Sequence, residues 1–415
     1  MKQKIVLEKI IVELSRVIVG ATFAFSGFVK AVDPLGFTYK MQDYLISLNL
    51  EGLFSIALTL AIIMVVAEFV LGVFLLLGIN SKVTTRLIGL FMVFFTPLTF
   101  WIALTNPVAD CGCFGDALVI SNWVSFYKNI ILFAGIAFLV IKWKKITPLF
   151  SSKKAAIASF FIILYGLLFS LHNTYNLPII DFRPYKIGAN IPDQMFVDPD
   201  KADIYETIFI YSKDGVEKEF SESDYPWNDS SWIFIDMETR LVKEGIKPAI
   251  EDFAIESLYL DESGEWNVGG DITDLILSDT TYTFIMVSYS LEKMSERYLP
   301  RFNDIVNYAD EKGYPFYLLT ASSTNSVKEW EAKHNTGVQF CHADERTLKT
   351  MIRANPGLML IKEGTVINKW DDSKVPSPEN LLIKKPDQGK GTELLISIIL
   401  FFVPLLILKV SYRKK

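Results

Sequence analysis

The chain has 415 residues, 51% of them hydrophobic and 21% charged, with a net charge of −6 and a mean hydropathy of +0.30. A mean above zero is unusual for a chain that lives wholly in water, so lipid-facing helices are the first expectation. No basic cluster suggests a nucleic-acid groove, and three cysteines are too few for a disulfide framework.

Six stretches are apolar enough, or nearly so, to cross about 30 Å of hydrocarbon as helices. In chain order they are Ile10–Ala31, Leu53–Gly78, Leu87–Thr105, Trp123–Ile141, Ala155–His172 and Leu394–Lys409. Lipid offers the backbone no hydrogen-bond partners, so these runs are expected to be helical. Lys and Arg gather before the first (Lys2, Lys4, Lys9), between the second and third (Lys82, Arg86), between the fourth and fifth (Lys142 to Lys154) and after the sixth (Lys409, Arg413 to Lys415). The 106–122 loop has none. That alternation predicts both termini in the cytoplasm, with the 106–122 loop and residues 173–392 outside. A cleaved signal peptide is the rival reading of the first span, but Arg16 interrupts it and no small-residue cleavage site follows.

Arg16 and Glu68 fall inside apolar runs. An ionisable group in hydrocarbon costs at least ~2.5 kcal/mol and normally faces the bundle, so the two are expected to pair. The alternative has Arg16 snorkelling to the cytoplasmic face and Glu68 neutral.

The loop after the third span reads Asp110-Cys111-Gly112-Cys113-Phe114-Gly115-Asp116. Two cysteines flank one glycine, whose freedom allows the sharp bend that a bond across one residue demands. A strained, exposed disulfide belongs to the labile, catalytic class. A structural clip is the plainer alternative; two thiolates plus Asp110, with no nearby histidine, make an incomplete metal set, so no metal is expected.

From Pro178 the pattern turns to short strands. Ile204–Tyr211 and Val216–Phe220 read as a hairpin around Lys213-Asp214-Gly215, and Ser231–Asp236 as a further strand. Beyond Asp252 strands and helices alternate: Thr281–Ser288, a helix near Leu291–Lys312, Pro315–Thr320, a helix near Ser326–His334, Val338–Cys341, a helix Glu345–Ala354, and a closing hairpin of Leu358–Lys362 and Thr365–Trp370. This order argues for a sheet covered by helices on both faces. Cys341, at a strand end, is a second candidate thiol, against the plainer reading of a buried apolar cysteine.

Asp-Cys-Gly-Cys-Phe-Gly, with Asn129 in the next helix, resembles the MauE-type members of the DoxX-like membrane proteins. Arg16, Gly20, Ser26-Gly27, Lys30 and Asp33-Pro34 match that family's opening pattern, and Glu68, Gly72 and Leu77-Gly78 its second helix. The resemblance spans residues 10–143. It implies redox work in a bacterial envelope: disulfide formation in a secreted partner, or quinone-linked sulfur chemistry. Residues 250–372 resemble the membrane-tethered thioredoxin-like domains, in which a proline at the place of Pro356 has a cis peptide bond beside the active site. The redox Cys-x-x-Cys of that family is missing, because Ser288 to Ser295 contains no cysteine. The fusion is similar to proteins found in Bacteroidetes.

The expected organisation is a membrane all-α bundle carrying an α/β thioredoxin-like soluble domain that lacks CxxC. Residues 1–145 form a DoxX/MauE-like four-helix domain, 146–175 a fifth span, 176–250 a β-rich segment, 251–388 the thioredoxin-like domain, and 389–415 the sixth span and cytoplasmic tail. The leading expectation is an inner-membrane protein with a periplasmic domain, whose CGC pair oxidises periplasmic client proteins and passes electrons to a quinone. A non-enzymatic scaffold is the second; a transporter, which would want inverted repeats, ranks last.

Overall fold

The computed structural model describes residues 2–108, 110–243, 245–381 and 390–410. The expected tail beyond Val410 lies outside the described residues. Among the described residues six helices are long and apolar enough to cross a membrane, and the chain is a multi-pass membrane protein.

The first helix, α1 (Lys2–Val32), runs into Asp33, whose carboxylate accepts from the Gly36 N–H and caps α2 (Pro34–Ser47). A capping aspartate followed by proline at the first helical turn is a strong start signal, although this short helix was not expected from the sequence. Then come α3 (Phe54–Leu77), α4 (Ser81–Thr105), α5 (Asn122–Lys142) and α6 (Ser152–Tyr175). Helices α1 and α3 touch backbone to backbone. A Cβ on Gly27 would lie 2.3 Å from the Phe69 nitrogen, and one on Gly72 2.2 Å from the Ala24 nitrogen. Between membrane helices, where apolar side chains gain little by leaving lipid, such small residues let dispersion contacts hold the pair.

After α7 (Ile191–Met195), strands β1 (Ile204–Lys213), β2 (Val216–Ser221) and β3 (Ile233–Lys243) form a separate antiparallel sheet in the order β2-β1-β3. The third strand was expected at Ser231–Asp236 and runs seven residues further, its pairing with β1 continuing to Ile204 opposite Lys243.

The larger sheet has seven strands. They are β4 (Glu256–Leu260) and β5 (Trp266–Asp271), then α8 (Thr273–Leu277), β6 (Thr283–Ser288), α9 (Leu299–Lys312), β7 (Phe316–Thr320), α10 (Thr324–His334), β8 (Gln339–His342), α11 (Glu345–Met351), β9 (Gly357–Lys362) and β10 (Thr365–Asp371). The order is β10-β9-β6-β7-β8-β4-β5, with β6, β7 and β8 parallel. Every residue of β6 is buried, which is why it reads as an unbroken apolar run. Helices α8 and α11 cover one face and α9 and α10 the other. Two readings are corrected here. The helix expected from Leu291 begins at Leu299, where Pro300 occupies its first turn. The β4–β5 hairpin was missed because it extends the sheet at an edge where alternation with solvent is weak. The last helix, α12 (Lys390–Val410), packs on α6, with Phe401 against Tyr165.

Candidate functional site

The 106–116 loop leaves α4 and returns over the end of the bundle that faces the β domain. Asn122, in the first turn of α5, holds its base by donating to Asn106 Oδ1 and to the Val108 carbonyl, both at 3.1 Å. Asp110 accepts from the Gly112 N–H at 2.8 Å and pairs with Lys40 of α2 at 2.9 Å. Gly112 has φ +62°, and Gly115 donates back to its carbonyl at 3.1 Å. A side chain at Gly112 would face both the left-handed strain and the Lys40 stem, 3.0 Å from a built Cβ.

Cys111 and Cys113 are paired with each other, their Cα atoms 5.5 Å apart. Both peptide carbonyls are held: Tyr44 OH donates to the Cys111 carbonyl at 2.6 Å and Ser26 Oγ to the Cys113 carbonyl at 2.5 Å. Ser125 Oγ lies 3.0 Å from Cys111 Sγ. Phe114 packs on Phe25 and under the Lys128 ammonium, 4.3 Å from the ring centre. The expected exposed disulfide is corrected: the sulfurs sit on a braced loop covered by α2 and α5, Cys111 buried and Cys113 half-buried.

Beneath the pair lies a mainly apolar cavity of about 240 Å³, lined by both cysteines together with Phe23, Met64, Phe91, Phe95, Leu98 and Leu132. Leu48 and Phe94 also line it and are exposed on the bundle surface, so it opens sideways towards lipid. Its polar side chains are Lys30, Glu68, Lys128, Asn129, Ser26, Thr22, Thr99 and Tyr44. Asn129 donates to Thr99 Oγ1 at 3.1 Å. Lys30 Nζ bonds Glu68 Oε2 at 2.5 Å and lies 5.0 Å from the Phe37 ring centre. Lys128 has no hydrogen bond or ion pair among the described residues, only its contact with the Phe114 ring.

The expected Arg16–Glu68 pair is not formed. Arg16 pairs with Glu13 at 2.7 Å and donates to the Thr147 carbonyl at 3.1 Å. The reason is helix register. Gly27 against Phe69, Ala24 against Gly72 and Gly20 against Leu76 place Arg16 opposite residues near 80. Twelve residues from Glu68 is roughly 18 Å along a helix. Lys30, one turn beyond Gly27, takes the place expected of Arg16.

The corresponding turn of the β domain, Ser288 to Ser295, carries no cysteine. Asn355-Pro356 is a cis peptide. Where β6 ends, Ser288 Oγ donates to Asn355 Oδ1 at 2.7 Å, Asn355 Nδ2 to the Ser290 carbonyl at 2.9 Å, and Ser295 N to the Asn355 carbonyl at 3.0 Å. Cys341 lies fully buried in the sheet core, and burial pushes its thiol up to about 12. It is a core cysteine with no contact to the CGC pair.

This end of the β domain is docked on the bundle. Arg353, immediately before Ala354-Asn355, pairs with Asp33 at 2.9 Å and reaches Asp116 of the loop at 3.4 Å. Lys349 lies over Tyr39 of α2 and over Tyr289, at 4.7 and 5.2 Å from the ring centres, and Arg346 pairs with Asp43. The connection from α6 is clamped as well, with Asp181 bound to Arg183 at 2.7 Å and to Lys369 at 2.8 Å. Burial alone raises the Asp33 carboxyl, but Arg353, Arg183 and its hydrogen bonds outweigh that and hold it below the usual carboxylate range. Asp116 goes the other way, because burial there outweighs the pull of Arg353.

Sequence reading found Cys111, Cys113, Asp110, Gly112, Phe114, Gly115, Asn129, Lys30 and Glu68, and the structure gathers all of them around one loop and one cavity. It missed Tyr44, Lys40 and Arg353, whose roles depend on elements far apart in the chain. Lys128 had a visible signal, a lone cation within the otherwise apolar Trp123–Ile141 span. Residues 8–142, which comprise most of α1 through α5, match the model of the family described as methylamine utilisation protein MauE. Residues 205–244, the three-stranded sheet, match a domain of unknown function, DUF8463. No curated protein and no solved structure matches the chain. In its first third, this multi-pass membrane protein is similar to MauE.

Proposed function

We propose that the chain is a thiol–disulfide redox protein of a bacterial envelope, an accessory factor that oxidises a secreted client through Cys111 and Cys113. The observation that carries this reading is the position of the pair, between the loop surface and an apolar cavity that opens to lipid. The Lys and Arg distribution supports an extracytoplasmic loop and domain. The seven-stranded sheet, with parallel β6, β7 and β8 covered by helices on both faces, supports reading the β domain as thioredoxin-like.

A client thiolate attacks one loop sulfur, the Cys111–Cys113 bond breaks, and a second client thiol resolves the mixed disulfide. The client leaves oxidised, and the loop holds two thiols with the two electrons and two protons gained. Ser125 and the two tethered carbonyls keep the sulfurs apposed for re-closure.

The cavity suits a quinone. Phe23, Phe91, Phe95 and Leu98 offer apolar walls for a ring, and Lys128 offers an uncommitted ammonium for a carbonyl oxygen. When bound, a quinone supplies a two-electron, two-proton acceptor. Within the chain, Lys128 and Asn129 orient the ligand, the Lys30–Glu68 pair holds a proton at the cavity wall, and the aromatic lining excludes water.

The test is alkylation of Cys111 and Cys113 in membranes with and without added quinone. Cycling between protected and reactive forms is the expected result; permanent protection would leave the second reading. That reading, a scaffold, is favoured by the serine–asparagine network that occupies the β domain's cysteine-free turn after β6.

A further inference from the structure

A second chamber, ringed by charged side chains, lies on the other side of the loop, between it, the α1–α2 junction and the 178–183 connection. It is lined by Asp33, Asp110, Asp116, Lys40 and Arg183, and its volume of about 30 Å³ has room for about two waters. This chamber and the apolar cavity share a wall, made by Lys30, Phe37 and Gly112. Lys30 is the only one of the three with an ionisable side chain, and its ammonium touches Glu68 on the cavity side.

In the opposite direction the core of the bundle is apolar, and the groove that adjoins the cavity across Phe91 is walled almost wholly by apolar side chains. Val19, Leu75, Ile88, Ile136 and Leu139, each at most 1% exposed, fill the core beyond the cavity. Among the described residues, Lys30 is the single charged side chain of the helical bundle classed as buried. A proton cannot hop along an apolar core, which offers no donor or acceptor.

We propose that protons reach and leave the redox cavity from the domain side alone, carried between Glu68 and the second chamber by Lys30. This rests on the quinone-linked reading above. Per turnover, a client dithiol loses two electrons and two protons, a disulfide bond forms in the client, and a quinone gains two electrons and two protons. Since both proton movements occur on one side, no net charge crosses the membrane. Lys30 is a positioning and relay residue, not a sulfur ligand.

The experiment uses the full chain in vesicles with the β domain outward, a reduced dithiol peptide outside, a short-chain benzoquinone, and a pH dye in the lumen. The expected result is turnover without lumenal alkalinisation, and a rate that changes less than ~2-fold under a valinomycin potential of about 100 mV. One charge crossing per turnover would alter the rate up to ~50-fold at that potential. Lumenal alkalinisation, or such voltage dependence, overturns the proposal while leaving the redox reading intact. If the wild type shows no quinone-dependent turnover, both fall. In a second arm, Glu68→Gln, which keeps the shape of the pair, is expected to slow re-oxidation of Cys111 and Cys113 ~100-fold more than it slows their exchange with the dithiol peptide. Equal effects on the two half-reactions overturn the relay.

Discussion

Two turns of this molecule face each other across the docking surface, and they handle polar groups in opposite ways. At the end of β6, Ser288, Ser290, Ser295 and Asn355 satisfy one another, and the bend before cis-Pro356 is closed by hydrogen bonds. In the 106–116 loop, Tyr44, Ser26, Lys40 and Asn122 take up the backbone and the Asp110 carboxylate, and the two sulfurs remain against an apolar cavity. A polar network that is fully satisfied rigidifies a structure, whereas a sulfur pair left beside an open volume can react. The difference teaches that the β domain clamps the loop's surroundings through Arg346 and Arg353, while the cysteine pair stands in the bundle.

The largest effect should come from the sulfurs. Cys111→Ser and Cys113→Ser are each expected to lower client thiol oxidation at least ~1,000-fold, as loss of a reacting group does, measured by alkylation of secreted-protein thiols. Unchanged client oxidation would erase the contrast between the turns.

The clamp is next. Arg353→Ala leaves Asp33 charged and largely enclosed, and losing one partner of a buried pair costs about 3–5 kcal/mol. Thermal unfolding in detergent should fall accordingly, and the 176–190 connection should become protease-sensitive. Acid tests the same contact. Asp33 and Asp181 are held below their ordinary 3.8 in the folded protein. Their contribution is complete above about pH 4 and is lost as pH falls through the lower folded values. Asp116, raised by burial, contributes with the opposite sign, its share fading as pH rises above 3.8. Docking followed by cross-linking across pH 3 to 6 should therefore weaken at the acid end.

A smaller effect is expected from Gly27→Ala. The added carbon would lie 2.3 Å from the Phe69 nitrogen, forcing α1 and α3 apart at about 1–3 kcal/mol, the usual range for overpacking. Because the same contact sets Lys30 beside Glu68, re-oxidation of the cysteine pair should slow too. Smallest is Ser288→Ala, which leaves Asn355 Oδ1 without its donor and should cost about 1 kcal/mol in thermal unfolding with client oxidation unchanged. A drop in oxidation there would give the β-domain turn a part in the chemistry.

The linear chain by itself determined the membrane-spanning helices, the reactive-looking loop and the strand–helix alternation beyond Asp252. Each follows from local composition: apolar runs of sufficient length, a glycine between two cysteines, and apolar periodicity. Tertiary structure alone decided which charges meet. Lys30 rather than Arg16 finds Glu68 because Gly27 and Gly72 set the register of two helices some forty residues apart in sequence. Arg353 reaches Asp33 across 320 positions, a contact no local pattern encodes. Ionic partnerships between separate elements depend on backbone placement to within an ångström or two, and that placement is the sum of many packing contacts rather than a property of any one segment.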